Sequence, residues 1–260
     1  GGAIFSWLMS VPSLMWLDWR GRMELTAPMV LAVFLFSTVT TLLLWAAIAL
    51  TSSRATALVH LKQANEALHR SFRRTISALA QAALHRDPAS AQHQRRVADL
   101  ALAIGRAMKL DAHRLEGLEL AALVHDIGQI EVPGEIISRP GPLTKPEMAL
   151  VQQHPVMGYE ILKDIDSPWP LADIVLQHHE NMDGSGYPRG LKGDEISLEA
   201  RILRVCDIVE AMSSHRVFRA SHPMSEVFNE IRGMAGQELD AEVVRVCLDL
   251  FQRHGYKLPA

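Results

Sequence analysis

Cysteine is nearly absent from this chain: two residues in 260, Cys206 and Cys247, each inside an apolar run and in no CxxC pair. That argues against a disulfide framework or a thiolate metal site and reads both as core thiols. A charge excess is missing too. Lys and Arg number 26 against 29 Asp and Glu, a net charge of -3, which is not the composition of a nucleic-acid binder, so no nucleic acid polymer is expected as a partner. Nowhere does the text alternate apolar and polar residues over a useful length, so the fold class is all-α. The length allows one domain of ordinary size plus an accessory segment.

One long stretch lacks charge altogether. From Ala27 to Leu50 the text is "APMVLAVFLFSTVTTLLLWAAIAL", and at ~1.5 Å per residue such a helix crosses ~30 Å of hydrocarbon. A buried core helix is the alternative, but one is rarely apolar on every face for that length. Residues 1–17, "GGAIFSWLMSVPSLMWL", are also apolar but broken at Pro12, as in the remnant of a first span or a separate amphipathic anchor. The link from Asp18 to Glu24 cancels its own charge, whereas the stretch after the span sets Arg54, Lys62, Arg70, Arg73 and Arg74 against Glu66 alone. The basic side faces the cytoplasm. Residues 1–52 are thus expected to anchor the chain in a membrane, in contact with lipid through a span near 27–50, with the rest in the cytoplasm.

Residues 53–86 read as a helix with an imperfect seven-residue seam: Leu58, Asn65, Phe72 and Leu79, accompanied by Leu61, Leu68, Thr75 and Ala82. This is either a parallel homodimer stalk, with Asn65 setting its register, or a single helix packed on the next domain. Asp87-Pro88 closes it, because a residue before proline disfavours helix, and 87–260 form the soluble domain. Within it, helical runs cover "HQRRVADLALAIGRAM", "RLEGLELAALVHDIG", "TKPEMALVQQHPVMGYEILKDI", "PLADIVLQHHE", "SLEARILRVCDIVEAMSS", "MSEVFNEIRGM" and "AEVVRVCLDLF". Thr144 with Glu147 has the form of a capping box.

Of twelve histidines, His93, His125, His154, His178 and His179 stand in apolar-patterned surroundings. A lone buried histidine is usually a hydrogen-bonded core residue. Five of them, accompanied by Asp126 and Asp207, are harder to explain that way. Asp207 lies between Val205, Cys206, Ile208 and Val209, where an unpaired carboxylate would be costly and a metal removes the cost. Imidazole with carboxylate suits Mn, Fe or Zn more than Ca or Mg. Asp126 is the natural bridge between two ions, and the chemistry such a pair supports is hydrolysis of a phosphate ester.

The segments "HQRRV", "LVHDIGQIEVP", "SRPGPLT", "QQHPVMGYEIL", "QHHENMDGSGYPRGLKGDEI", "ARILRVCDIVEAMSSHRVFR" and "LDAEVVRV" resemble, in order, the HD-GYP subgroup of the HD phosphohydrolase superfamily, over roughly residues 85–255. The resemblance implies an all-helical domain holding two divalent ions, iron or manganese, with zinc or nickel possible in purified protein. It implies a cyclic di-GMP phosphodiesterase that yields linear pGpG or GMP. It further implies His93, His125, Asp126 and Asp207 as ligands of one ion, and Asp126, His154, His178 and His179 as ligands of the other. A third-metal acid of some members corresponds to Ala89, so two ions are expected.

By the same resemblance Arg216 and Arg219 approach the cyclic phosphates, a solvated helix end being the alternative. Gly184 and Gly186 turn the "DGSGYP" loop, Pro188 fixes its exit, and Tyr187 packs the loop or lines the guanine pocket. Asp183 orients the loop or a ligand histidine, and Asp87 matches an acidic position further from the metals. Gln129 departs from the family's HDxGK pattern, where a lysine stands. It keeps a donor but loses a charge near the phosphate. The expected function is metal-dependent hydrolysis of cyclic di-GMP. The alternatives are a weakly catalytic sensor of cyclic dinucleotides or a phosphodiesterase for another one.

Overall fold

The computed structural model describes residues 26–83, 88–137, 141–214 and 222–259. Ten α-helices account for most of them: α1 (Ala27–Ala83), α2 (Pro88–Ala107), α3 (Ala112–Val124), α4 (Gly134–Ile137), α5 (Lys145–Val151), α6 (His154–Leu162), α7 (Leu171–Gln177), α8 (Leu198–Ser213), α9 (Met224–Met234) and α10 (Ala241–Gln252). Two short 3-10 turns, Ile127–Glu131 and Gly193–Glu195, join them. Among the described residues the β structure amounts to one isolated bridge between Ala235 and Leu239. The chain is all-α.

Two compact units divide it, residues 1–71 and 72–260. In the first, α1 exposes Leu31, Leu35, Phe36, Leu42, Leu43, Leu44, Trp45 and Ile48, and by length and composition it is able to cross a membrane. Its hydroxyls are already spent: Thr38, Thr40 and Thr41 donate to carbonyls three or four residues back, which hides polar groups from an apolar medium. Ala27–Ala83, which takes in the expected span and the described part of the expected stalk, is one uninterrupted helix, since no proline or glycine falls between Met29 and Ala83 to break it. Of the seven-residue series, Leu58, Leu61 and Leu68 are exposed in this unit. Phe72 and Leu79 pack on the core of the second unit, where Ile76 and Ala80 of the same helix are buried.

In the second unit, α2 and α3 lie against each other and α2 lies against α8. Val97, Leu100, Ala101 and Ile104 of α2 recur at helical spacing and are fully buried, as are Leu118, Ala121 and Ala122 of α3 and Ile202, Val205 and Val209 of α8. Each large apolar side chain buried this way contributes roughly 1.5–3 kcal/mol. Cys206 and Cys247 belong to this core and are free thiols. Asp111 caps α3 by accepting from the Arg114 N–H, and the Glu147 carboxylate accepts from the N–H of Thr144 at 2.8 Å to start α5.

Three runs read as single helices are interrupted. The 114–128 run ends at Val124, the 144–165 run splits at Gln152–Gln153, and the 170–180 run ends at Gln177. The interruptions coincide with histidines. His125 follows α3, His154 begins α6, and His178 follows α7, rather than lying inside helices.

Candidate metal centre

Histidines at helix ends solve a local problem. The last carbonyls of a helix have no intrahelical donor, and here a side chain supplies it: His125 Nδ1 lies 2.8 Å from the Ala122 carbonyl and His178 Nδ1 2.5 Å from that of Val175. His154 Nδ1 meets the Val151 carbonyl of the preceding helix at 2.8 Å. A carbonyl only accepts, so each Nδ1 carries the proton and each Nε2 lone pair points the other way. These three lone pairs converge.

Around them the fold assembles two donor sets. Asp126, His154, His178 and His179 form one, and His93, His125 and Asp207 the other, with the donor atoms of each set within 4.8 Å of one another. The two oxygens of Asp126 face different sets. Oδ1 is 3.3 Å from His154 Nε2, while Oδ2 is 3.4 Å from His125 Nε2 and 3.9 Å from His93 Nε2. His93 Nε2 is also 3.3 Å from Asp207 Oδ1. Donors on opposite sides of an ion at about 2.1 Å stand about 4.2 Å apart, so these spacings suit divalent cations.

Two further observations fit cations. His125 Nε2 is buried with no hydrogen-bond partner. His154 and His178 present Nε2 to each other at 3.1 Å, although their protons already go to carbonyls; two lone pairs meet there unless a proton or a cation takes them. The carboxylates and two of the rings agree, whereas His93 and His154, against burial, hold a proton more firmly than a free imidazole because of the carboxylates beside them. Burial disfavours the charged form of Asp126, yet His125, His154 and His93 hold it well below the usual carboxylate range. Asp207 is lowered against burial, chiefly by its bond to His93. Burial keeps His178 neutral, and it holds His179 at about 3 against the pull of Asp207. Burial opposes charge on His93 as well, but bonds to Asp207 and Glu210 outweigh it and raise the ring to about 10. A binuclear metal-binding cluster of His and Asp residues is therefore present.

The loop after His179 closes over one side of the cluster. Glu180, buried, accepts from the N–H groups of Arg189 at 2.7 Å and Leu191 at 3.0 Å, pinning the far end of the loop to the helix end it left. Gly186 passes so near the backbone that a Cβ would stand 2.3 Å from the Asn181 nitrogen and 2.5 Å from the His179 oxygen; only glycine fits. Tyr187 consequently stacks on the His179 ring, with centroids 4.8 Å apart and planes at 25°. Asp183 accepts from the N–H and hydroxyl of Ser185, so its contact is with the loop and not with a ligand histidine. Pro188 follows in cis linkage. Gln129 is half-buried in the 3-10 turn, its N–H bonded to the Asp126 carbonyl at 2.9 Å. Arg216, Arg219 and Asp87 lie outside the described residues.

Four residues beside the cluster have no role in the sequence reading. Glu210 meets His93 Nδ1 and is held by Arg96; Arg204 donates to His179 Nδ1 at 3.2 Å and to Asn181 Oδ1 at 3.0 Å. A signal existed for two of these. Arg96 follows His93, and Glu210 follows Asp207, by three positions in amphipathic helices, which places each on the face of its neighbour.

Known proteins resemble the second unit. The family described as HD domain matches residues 77–243. The chain is 39% identical to a Thermotoga maritima protein named cyclic di-GMP phosphodiesterase, over 64% of this chain and 46% of that one. It is 34% identical to the Vibrio cholerae protein named 3'3'-cGAMP-specific phosphodiesterase 1, over 63% of this chain and 38% of that one. The chain thus spans less than half the length of these relatives. Among solved structures, an HDG"Y"P protein from Bdellovibrio bacteriovorus shares the fold with a TM-score of 0.52 at 21% identity, covering 62% of this chain and 51% of that one.

Proposed function

Because the chain belongs to the HD domain family, we propose that it is a phosphodiesterase of the HD-GYP type that opens cyclic di-GMP to linear pGpG or GMP. The observation that carries the reading is the placement of Asp126, which turns one oxygen to each of two histidine-rich donor sets. In this reading His93, His125 and Asp207 would hold one ion, His154, His178 and His179 would hold the other, and Asp126 would offer an oxygen to each. Two divalent ions, iron or manganese, would supply Lewis acidity there, for the activation of water and for charge on the phosphoryl oxygens.

The chain's own groups do the rest. The carbonyl partners of His125, His154 and His178 fix which nitrogen each ring offers. Tyr187, Gly186 and Pro188 shape the loop that meets the nucleotide, Asp183 holds that loop to Ser185, and Arg216 and Arg219 take the cyclic phosphates with their forked donors. Gln129 donates a neutral bond where a lysine would bring charge, so turnover is slow.

Residues 1–52 anchor this protein in a bacterial inner membrane, 53–86 form a helical stalk that exposes Leu58, Leu61 and Leu68 for pairing with a second copy while Phe72 and Leu79 pack on its own domain, and 87–260 act in the cytoplasm. Support comes from the exposed apolar length of α1 and the basic residues after Arg54, and release of the full chain by alkaline carbonate would refute the anchor. A second substrate has a specific observation in its favour. Vibrio cholerae proteins named as specific for 3'3'-cGAMP match this chain at up to 41% identity.

The deciding experiment incubates anaerobically purified, Mn- or Fe-loaded protein with cyclic di-GMP and 3'3'-cGAMP side by side and separates the products, with Asp126→Ala as the blank. Turnover of cyclic di-GMP above that blank supports the reading. Faster opening of 3'3'-cGAMP reassigns the substrate, and tight binding without turnover makes the domain a sensor.

A further inference from the structure

Three cluster histidines lean on backbone carbonyls, but His93 leans on a carboxylate. Glu210 is fully buried, and its two oxygens divide their work. Oε2 meets His93 Nδ1; Oε1 takes Arg96 Nε and Nη2, each at 2.6 Å, and the Ser214 hydroxyl at 2.5 Å. Arg96 and His93 lie one turn apart on α2, and Glu210 lies one turn beyond Asp207 on α8. The same pair of helices therefore supplies both a metal donor set and the groups that orient it.

A carboxylate behind an imidazole draws its Nδ1 proton more strongly than a neutral carbonyl does, and so raises the electron density at Nε2. Arg96 balances much of the charge of Glu210 at a distance, so the influence on His93 travels through the hydrogen bond and is confined to that ring. On the opposite side of the cluster the outer residue has the other sign. Arg204 donates to His179 Nδ1 at 3.2 Å, setting a guanidinium charge against any cation held by that ring. Charge among the donors is uneven as well: the His93 set has Asp207 and a share of Asp126, whereas the His179 set has its share of Asp126 alone.

We propose that Glu210 is a positioning residue that makes the two metal positions unequal, so that the position formed by His93, His125, Asp207 and Oδ2 of Asp126 fills first and tightly, and the position beside Arg204 fills second. The inference rests on the metal-centre reading of the site and not on the identity of the substrate. It predicts an ordered assembly: the centre passes through a one-metal form before it holds the pair.

The test is Mn(II) titration of the full-length, metal-stripped protein, with free ion and the spin-coupled pair followed by electron paramagnetic resonance. Two separated steps are expected, with the coupled signal arising only in the second. Glu210→Gln should weaken the first step, once corrected for the proton released on binding, about 10- to 100-fold and leave the second in place. Arg204→Gln should strengthen the second step, an effect that a purely structural role for these residues would not produce. His179→Gln, removing the second step alone, assigns the two. Where the uncompensated Arg96 prevents Glu210→Gln from folding, Arg96→Gln with Glu210→Gln neutralises both charges and serves instead. Filling of both positions in one step, or equal weakening of both steps by Glu210→Gln, would overturn the inference. No Mn(II) binding by the wild-type protein would remove the metal-centre reading itself.

Discussion

Replacing Gly128 by alanine should cost the protein its metal pair while sparing most of its fold. An alanine Cβ at that position would meet the His154 carbonyl oxygen at 2.0 Å and the Gly158 nitrogen at 2.5 Å. Both are backbone atoms of α6, which no rotamer change can move aside. Ordinary contact begins near 3.4 Å, so the Ile127–Glu131 turn and α6 must part by about 1.4 Å. Gly128 does not adopt positive φ, so the effect is steric and not conformational.

The separation falls on the ligands. Asp126 stands two residues before Gly128, and the obstructing oxygen belongs to His154, whose Nε2 faces Asp126 Oδ1 at 3.3 Å. Metal–ligand distances tolerate only about 0.2 Å, so one donor is lost from the set that includes His154, and affinity at that position should fall more than about 100-fold. Overpacking of this kind costs about 1–3 kcal/mol. Mn(II) titration reads the first quantity, and urea unfolding of metal-free protein reads the second. Two Mn(II) ions bound at wild-type affinity, with stability unchanged within about 0.5 kcal/mol, would refute the reasoning.

Glu180→Gln keeps one acceptor for two N–H groups, so it should lose about 1.5–3 kcal/mol, read by urea unfolding, and speed amide exchange at Arg189 and Leu191. Gln129→Lys should raise turnover about ten-fold if the restored charge acts on the transition state, measured in single-turnover reactions beside nucleotide binding; tighter binding without faster turnover would show the charge to be redundant. His93, raised to about 10 in the metal-free fold, holds at pH 7 a proton that a cation must displace. Mn(II) affinity should therefore climb from pH 7 toward 10, with proton uptake by the buffer detectable calorimetrically at pH 7. The same shift adds stability to the metal-free protein that is complete below about 6.5 and lost as the pH rises through about 10.

The residue types at the site were legible before any fold was known. His93, His125, His154, His178 and His179 with Asp126 and Asp207 stood out because polar side chains in apolar runs need a compensating partner, and the same patterning made the chain all-α. The long uncharged stretch was equally plain, because hydrocarbon thickness sets a length that can be counted along the text. Helix ends were not legible: α3, α5 and α7 stop beside His125, His154 and His178 because a side chain replaces a missing backbone donor, an exchange that apolar periodicity does not record. Nor were the partners of Glu210, Arg96 and Arg204: Glu210 reaches His93 and Arg96 because α2 and α8 lie side by side although more than a hundred residues separate His93 from Glu210, and Arg204 meets His179 and Asn181 beyond the end of α7. A linear pattern specifies which groups seek partners; only the packed helices determine which partners they find, because hydrogen bonds and ligand fields act over about 3 Å of space and not along the chain.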